Sequence, residues 1–431
     1  MNMKTFRNML LVLLASVILG TVLLILVYSL PVNVMRNNVS KSIDALLQKG
    51  DYPSWSEGGG ITSILDYFTD AIMINTAIYS SGKHVYDSMM NQRRKYNEAR
   101  SRTEDLSMAL KAENTNEDGL NVVSYPRYWH GYLLYLKPML MFLSVNRLKM
   151  INFLLQFFLL IAVVMKMSYK VGKAYVFAFA MAVLVINPIS TVLCLTFCDV
   201  YYIVLIMMII MLDYNNSLNR DNRYYIFFTF GGIATAYFDL LTYPFASLGI
   251  PTVLYVLMNA NERIKLSESL SSIVKIAMSW GFGYAGMWSS KWLVSSLLTG
   301  NNIIWDALNA ASFRINGAWN GVPMTWAERF KGLSVRLASM QGFYAALILI
   351  SVILVIILIA VFVYISIIRG STSFQEIITL FIVSLYPFIW YSILQNHTII
   401  HFHLFTHKLL SVSVFAALCI LIKCSGYKHH G

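Results

Sequence analysis

Charged residues are scarce in this 431-residue chain. Asp, Glu, Lys and Arg make up 13% of it, while hydrophobic side chains make up 57% and the mean hydropathy is +0.60. A soluble domain carries about 25% charged residues, so the composition excludes an ordinary soluble protein and indicates a chain that crosses a membrane several times. The net charge is +12, but the basic residues lie mainly between apolar runs, where they orient spans and contact anionic lipid. We therefore expect membrane lipid as a partner and no nucleic acid.

Several chemical signatures are also missing. No Walker loop, dinucleotide fingerprint, HExxH pair or nucleophile elbow occurs, which excludes ATP-driven transport by this chain alone. There is no clear internal repeat of the kind that secondary transporters show. The few cysteines all lie in or beside apolar runs, so no disulfide framework is expected. They are Cys194, Cys198, Cys419 and Cys424.

What the sequence does contain is a series of apolar runs of bilayer length. They predict an all-α fold, a polytopic transmembrane helical bundle with about ten spans. The predicted spans are 9–28, 150–165, 175–188, 192–212, 224–238, 241–258, 273–289, 343–368, 377–394 and 404–422. A polar break of more than a hundred residues, roughly, separates the first span from the second. Such a polar segment usually carries the functional site of a membrane protein.

Lys and Arg occur in every second connection, beginning with Lys4 and Arg7. The positive-inside rule then places both termini in the cytoplasm and the polar break outside the plasma membrane. This gives a signal-anchor span in 1–30, an extracytoplasmic loop with amphipathic surface helices and the acids in 31–146, and spans two to seven in 147–290. A second outer loop follows in 291–340, and spans eight to ten occupy 341–431. Residues 131–145 are predicted as a surface helix because Lys137 and Pro138 interrupt them; a further span is the alternative.

Two acids stand out in the first outer loop. Asp66 and Asp70 are four residues apart in LDYFTD, which puts both carboxylates on one face of a helix end. A transferase that activates an alcohol needs a carboxylate as a base or a metal ligand, so we predict a catalytic role for both. The alternative is that Asp66 caps the helix. Whether a divalent metal is the cofactor stays open.

The segment SYPRYWHGY combines a guanidinium group with aromatic rings. Arg127 can hold a phosphate through two parallel hydrogen bonds, and Tyr128, Trp129 and His130 can support a sugar or a lipid chain. The structural alternative is an aromatic belt at the membrane interface. The two interpretations are compatible.

The remaining outer connections supply further candidate ligands for the donor phosphate or the substrate. Asp239 is a candidate for the site or simply a helix cap. The pairs His397 and His401, and His403 and His407, have metal-binding spacing but no local acidic ligand, so contact with an anion is favoured. The predicted binding residues here are Asp239, Lys291, Arg314, His397, His401 and Lys408.

These segments resemble the GT-C superfamily of glycosyltransferases. The similar stretches are LDYFTDAIMINTA, YPRYWHGYLLYLKPML, FDLLTYPFASLGIP and QNHTIIHFHLFTHK, and they look like segments of bacterial membrane proteins often linked to surface polysaccharide. The resemblance implies a polyprenyl-phosphate sugar as donor, a glycan or lipid acceptor on the outer face, and Asp66 and Asp70 at the catalytic position. The chain lacks a WWDYG-like motif, so peptide glycosylation is not expected. The alternative function is a transporter or flippase for polysaccharide or lipid-linked sugar.

Overall fold

The computed structural model describes residues 2–56, 63–80, 84–111, 119–259, 265–315, 318–319, 322–323 and 374–425. The predicted eighth span, 343–368, lies outside these residues, as do parts of the two predicted outer loops. The described chain is almost entirely helical. Its strands form two short antiparallel pairs, β1 (Arg94–Tyr96) with β2 (Asn121–Val123) and β3 (Ala318–Trp319) with β4 (Val322–Pro323).

The first third of the chain forms one long helix followed by several short ones. The long helix is α1 (Met3–Tyr28). The polar break then folds into α2 (Val32–Ser40), α3 (Ile43–Lys49), α4 (Tyr67–Ile78), α5 (Val85–Asn91), α6 (Arg102–Lys111) and α7 (Leu133–Leu140).

The remaining helices are mostly longer and more apolar. They are α8 (Val145–Lys170), α9 (Lys173–Ile186), α10 (Pro188–Leu193), α11 (Cys198–Leu218), α12 (Arg223–Phe238), α13 (Phe245–Met258), α14 (Leu266–Thr299), α15 (Ile303–Ile315), α16 (Phe374–Ser384), α17 (Tyr386–Ile393), α18 (Gln395–His401) and α19 (Leu410–Cys424). Short 3-10 turns occur at Leu195–Phe197, Arg220–Asn222 and Thr406–Leu409.

Five helical segments in the described residues are long and apolar enough to cross a membrane. They are Met3–Tyr28, Val145–Lys170, Leu195–Leu218, Phe374–Ile393 and Thr406–Cys424. The prediction of a helical membrane protein is thus confirmed. The helix α14 has 34 residues and is about 51 Å long at 1.5 Å per residue, which exceeds a bilayer core. It therefore runs through the point at which the second outer loop was predicted to begin.

The closest helix packing occurs between α12 and α14. A Cβ atom built on Gly232 would lie 2.0 Å from the carbonyl oxygen of Trp280, and one built on Gly283 would lie 2.1 Å from that of Thr229. Glycine at these positions lets the two backbones touch. Small residues serve membrane helices in this way because packing, rather than the hydrophobic effect, holds such helices together.

We expect Gly283→Ala to lower the thermal stability of the protein, because overpacking a tight contact costs about 1–3 kcal/mol. Gly281 on the same helix is the matched control, since nothing lies within 4 Å of its built Cβ atom. Gly281→Ala should be neutral or slightly stabilising, since alanine favours a helix over glycine by roughly 0.5–1 kcal/mol. The measurement is the unfolding temperature of both variants in detergent; equal shifts would show that the contact is not tight.

One end of the helical bundle, here called the loop end, carries the folded polar break. The backbone N–H of Gly131 donates to Tyr237 O at the end of α12 over 2.8 Å, and Trp129 Nε1 donates to Met287 O of α14 over 2.6 Å. Since successive long helices alternate in direction, the starts of α11 and α13 and the ends of α12 and α14 also lie at the loop end. Segments that are distant in the sequence therefore meet at the loop end.

The predicted surface helix 131–145 needs a correction. The structure has a shorter helix, α7, whose residues Leu133, Leu136, Lys137 and Leu140 are fully buried. It packs against α1, α2, α4 and α8, so it does not lie open on a membrane surface. Lys137 Nζ donates to Ala77 O over 2.7 Å, and burial lowers the pKa of this lysine to about 8. A cation near the C-terminus of α4 is favourable because the helix dipole is negative there.

Candidate functional site

A cavity of about 430 Å³ opens at the loop end. Its wall is formed by the polar break and by four later parts of the chain that are far apart in sequence. The lining residues are Phe68, Thr69, Ile72, Arg94, Tyr96, Arg102, Val123, Tyr125, Thr196, Leu240, Thr242, Arg314, His397, His401 and Phe405. Among the described residues, the wall contains three arginines and two histidines and no carboxylate. This chemistry suits an anion.

Arg94 is the most unusual member of the wall. Its Nε and Nη1 atoms are buried and have no hydrogen-bond acceptor within the described part of the chain. Its guanidinium carbon lies 5.4 Å from the centre of the Tyr125 ring, and burial lowers its pKa. Buried polar groups in native proteins are normally satisfied, so unmatched donors beside a cavity point to a ligand that supplies the acceptors.

The other two arginines differ in their charge balance. Arg102 Nη1 donates to Asp105 Oδ2 over 2.6 Å and is thereby neutralised. Arg314 stands at the last turn of α15, where its Nη1 donates to Ala310 O over 3.2 Å. The carbonyl oxygen accepts this hydrogen bond but carries no full negative charge that would neutralise Arg314. Within the described residues, Arg94 and Arg314 therefore give the cavity wall an uncompensated positive charge.

The two histidines in the wall are uncharged. His397 Nε2 donates to Leu241 O over 2.8 Å, which fixes the tautomer. His401 stacks on Phe405 at 4.8 Å between ring centres, and its Nδ1 is buried without a hydrogen-bond partner in the described chain. Burial, followed by the positive charge of Arg314 and the nearby His403, lowers the pKa of His401 to about 4. At neutral pH this ring can accept a proton or a hydrogen bond.

The predicted catalytic acids lie beside the cavity and not in its wall. Asp66 is the N-cap of α4, where Oδ1 accepts from the Thr69 backbone N–H over 2.9 Å; burial raises its pKa to about 7. Asp70 Oδ1 accepts from the backbone N–H and the hydroxyl of Thr196 over 3.1 and 3.0 Å, and its Oδ2 lies 3.3 Å from Lys149 Nζ. Both acids hold residues of the wall, Thr69 and Thr196, in place.

Asp239 has a similar local role. Its carboxylate accepts from the backbone N–H and the hydroxyl of Thr242 in the turn between α12 and α13. This is not the helix cap that the sequence offered as an alternative, since α13 begins only at Phe245. Burial raises its pKa to about 7. Thr242 lines the cavity, whereas Asp239 does not.

The predicted phosphate ligand Arg127 is already engaged. Its Nη1 donates to both carboxylate oxygens of Asp306, over 2.9 and 3.0 Å, so it is neutralised outside the cavity wall. Tyr128 packs edge-on against Trp288 at 5.2 Å between ring centres. His130 Nε2 donates to Tyr125 O over 3.1 Å, and its Nδ1 lies 2.9 Å from the Tyr132 hydroxyl. Tyr128 and Trp129 thus join the polar break to α14, and Arg127 joins it to α15.

The predicted phosphate ligands Lys291 and Lys408 are buried at helix ends. Lys291 Nζ donates to Met90 O over 3.2 Å near the end of α5, and Lys408 Nζ donates to Ile186 O over 2.7 Å at the end of α9. Neither lysine lines the cavity. Each places a cation against the free carbonyl groups of a helix C-terminus, as Lys137 does, which stabilises the helix end.

Three of the predicted binding residues, Arg314, His397 and His401, line the cavity. Arg94 and Arg102 also line it and were not predicted from the sequence. The signal was present in Arg93-Arg94-Lys95, a basic run in a loop predicted to be extracytoplasmic. The positive-inside rule applies to short connections and not to a loop of this length, so these residues could have been considered as ligands without an orienting role.

A second, apolar groove of about 300 Å³ lies between α7, α8 and α11. Leu195 and Phe238 belong to this groove, whereas Thr196 and Leu240 belong to the cationic cavity. The two spaces therefore approach each other at residues 195–196 and 238–240. The full lining is Tyr135, Met139, Leu148, Asn152, Leu155, Leu195, Cys198, Asp199, Tyr202, Ile203, Ile206 and Phe238.

The described residues contain no cluster of three or more His, Cys, Asp or Glu side chains that could hold a metal ion. The donor set of the cavity wall, arginines with neutral histidines, also favours an anion over a cation. Comparison of the chain with protein-family models, with curated proteins and with solved structures finds no match.

Proposed function

We propose that this protein is a membrane glycosyltransferase of the GT-C type, acting on the extracytoplasmic face of the plasma membrane. Its donor is a sugar on a polyprenyl-phosphate lipid, and its acceptor is a glycan or a lipid. The observation that carries the proposal is the cationic cavity at the loop end with an apolar groove directly beside it. A molecule that joins an anionic phosphate to a long apolar chain matches both spaces.

In this proposal the lipid chain occupies the groove between α8 and α11, and the phosphate lies against Arg94 and Arg314. When the sugar is transferred, the phosphate leaves with the electron pair of the broken sugar–oxygen bond. Fixed positive charge stabilises that leaving group most effectively in a site with little water, because the dielectric constant is low there.

The acceptor hydroxyl must lose a proton as its oxygen attacks the anomeric carbon. We assign the proton to His401, because its side chain lines the cavity and its Nδ1 has no hydrogen-bond partner among the described residues. Asp70 is assigned to positioning, because it does not line the cavity. Its Oδ1 accepts from Thr196, and its Oδ2, which has no hydrogen-bond donor among the described residues, lies 3.3 Å from Lys149 Nζ. Displacement by the acceptor from the face opposite the phosphate gives inversion at the anomeric carbon.

The second candidate is a transporter or flippase for lipid-linked sugar. It is favoured by the absence of a carboxylate from the described cavity wall, since transport needs a binding site but no strong base. The two functions are separated by incubating purified protein in detergent with short-chain polyprenyl-phosphate sugars and an acceptor panel. Transport cannot register there because detergent micelles enclose no second compartment. Product formation supports the transferase; absence of product together with translocation in liposomes would establish the transporter.

The proposal also requires the loop end to face outward. Ala99 is exposed in the polar break, and Asn216 is exposed at the opposite end of α11. In a Cys424→Ser background, where the other native cysteines are buried, Ala99→Cys should react with a membrane-impermeant thiol reagent in intact cells. Asn216→Cys should react only after the cells are opened. The reverse pattern would place the cavity in the cytoplasm and remove the outer-face chemistry.

A further inference from the structure

The charge of the cavity wall is not balanced by the protein. Arg102 has its own counter-ion in Asp105, and burial keeps both histidines neutral by lowering the pKa of each ring. Arg94 and Arg314 remain, each without a carboxylate partner in the described part of the chain. The wall therefore carries two positive charges that a ligand would have to match.

Leaving such charges unmatched is costly. Arg94 and Arg314 are partly buried, and even partial removal of a charged group from water has a cost. The two buried Arg94 nitrogen atoms without an acceptor add to it. A bound anion neutralises such a guanidinium group and accepts hydrogen bonds from its N–H groups. Phosphate oxygens match the geometry of these donors. The closest acids on α4 cannot serve, because Asp66 is turned to the helix N-terminus and Asp70 to Lys149.

The number of charges distinguishes two kinds of lipid donor. A sugar linked to a lipid through one phosphate is a diester with one negative charge, whereas a sugar linked through a diphosphate carries two. The cavity volume of about 430 Å³ lies within the range of roughly 300–1,000 Å³ that is usual for small-molecule pockets. Space for two phosphate groups and a first sugar is therefore available.

We propose that the donor is the diphosphate-linked form, with one phosphate group held by Arg94 and the other by Arg314. This inference rests on the proposed function for its sugar and lipid, but the charge match is a property of the cavity alone. The phosphate nearer the sugar leaves together with the rest of the lipid diphosphate, so the bond that breaks is the sugar–oxygen bond and the charge of the leaving group increases by one.

The test is a binding measurement that needs no catalysis. The probes are farnesyl methyl diphosphate and farnesyl methyl phosphate, which share a chain and a capping group and carry two and one negative charges. Their Kd values are measured by thermophoresis on the purified full-length protein in detergent. We expect the diphosphate to bind at least tenfold more tightly, and equal affinities would overturn the inference.

Two variants assign the preference to the cavity. Arg94→Gln and Arg314→Gln should each bring the ratio of the two Kd values close to one. Arg93→Gln is the matched control, since the neighbouring Arg93 is paired with Asp87 and does not line the cavity; it should keep the full preference. A preference that survives in both cavity variants would also overturn the inference.

Folding is checked in the same samples. Since Arg94 has no acceptor for two of its buried nitrogen atoms, Arg94→Gln should not lower the unfolding temperature of the free protein, and a large drop would show that Arg94 has a structural partner instead. Diphosphate preference without sugar transfer from any donor would sink the transferase proposal and leave the diphosphate site standing. Sugar transfer from a monophosphate donor, together with equal binding of the two probes, would support the transferase proposal and overturn the diphosphate site.

Discussion

Replacing His401 with asparagine is expected to lower kcat for sugar transfer by about 100-fold or more, with little change in the KM of the lipid donor. General-base catalysis contributes about 10²–10⁴-fold, and an amide of similar shape keeps the hydrogen-bond acceptor without the basicity. The ring of His401 lines the cavity with Nδ1 unengaged, so its removal should affect the chemical step more than binding.

The pH dependence gives a second readout of the same residue. Burial lowers the pKa of His401 to about 4, so the ring is neutral and able to accept a proton at all pH values well above 4. The rate of the wild-type protein should therefore fall only as the pH drops toward 4, rather than near the usual histidine value of about 6.5. In the asparagine variant this acidic limb should disappear.

Controls separate this role from a structural one. His403→Asn alters a histidine of the same segment that does not line the cavity and should leave kcat nearly unchanged; the acidic limb should persist and move to slightly higher pH, because His403 contributes to lowering the pKa of His401. His401→Gly creates a space in which added imidazole should restore part of the rate. Full activity of His401→Asn would remove His401 from the mechanism. So would a His401→Gly variant that imidazole does not rescue and that keeps the acidic limb of the wild-type protein.

The second large effect concerns the ion pair between Asp70 and Lys149. The two side chains are 1% and 9% exposed and lie 3.3 Å apart between Oδ2 and Nζ. Removing one partner of a buried pair costs about 3–5 kcal/mol, because the other charge is left buried without compensation. We expect Asp70→Asn to lower the free energy of unfolding by this amount and to lower the unfolding temperature in detergent accordingly.

A double variant and an exposed pair make this prediction specific. Asp70→Asn combined with Lys149→Met removes both charges and should recover most of the stability lost in either single variant. Lys166 and Asp213 form a pair of similar chemistry that is more than a third exposed, so Asp213→Asn should cost at most about 1 kcal/mol. If Asp70→Asn instead abolished transfer at an unchanged unfolding temperature, Asp70 would be the catalytic carboxylate that the sequence first indicated.

The sequence by itself determined the class of the protein and the course of its helices. Apolar runs have a length and a composition that only a membrane interior favours, and these properties belong to each segment independently of its neighbours. For this reason, the segments now described as α8, α9 and α11 to α13 were predicted within several residues, whereas α14 continues to Thr299, well past its predicted end at Ser289. The capping alternative for Asp66 was also visible, since a cap is made within one turn of chain.

The tertiary structure decided which polar groups meet. Asp70 and Lys149 are distant in sequence, and so are Arg94 and Arg314; their distances follow from how helices pack, which no local pattern encodes. The same packing buried Lys291 and Lys408 against the carbonyl groups of α5 and α9, where a basic residue in an outer connection had suggested a phosphate ligand. Local composition sets what a segment can bury, whereas the charge balance of a cavity depends on all the segments that form its wall.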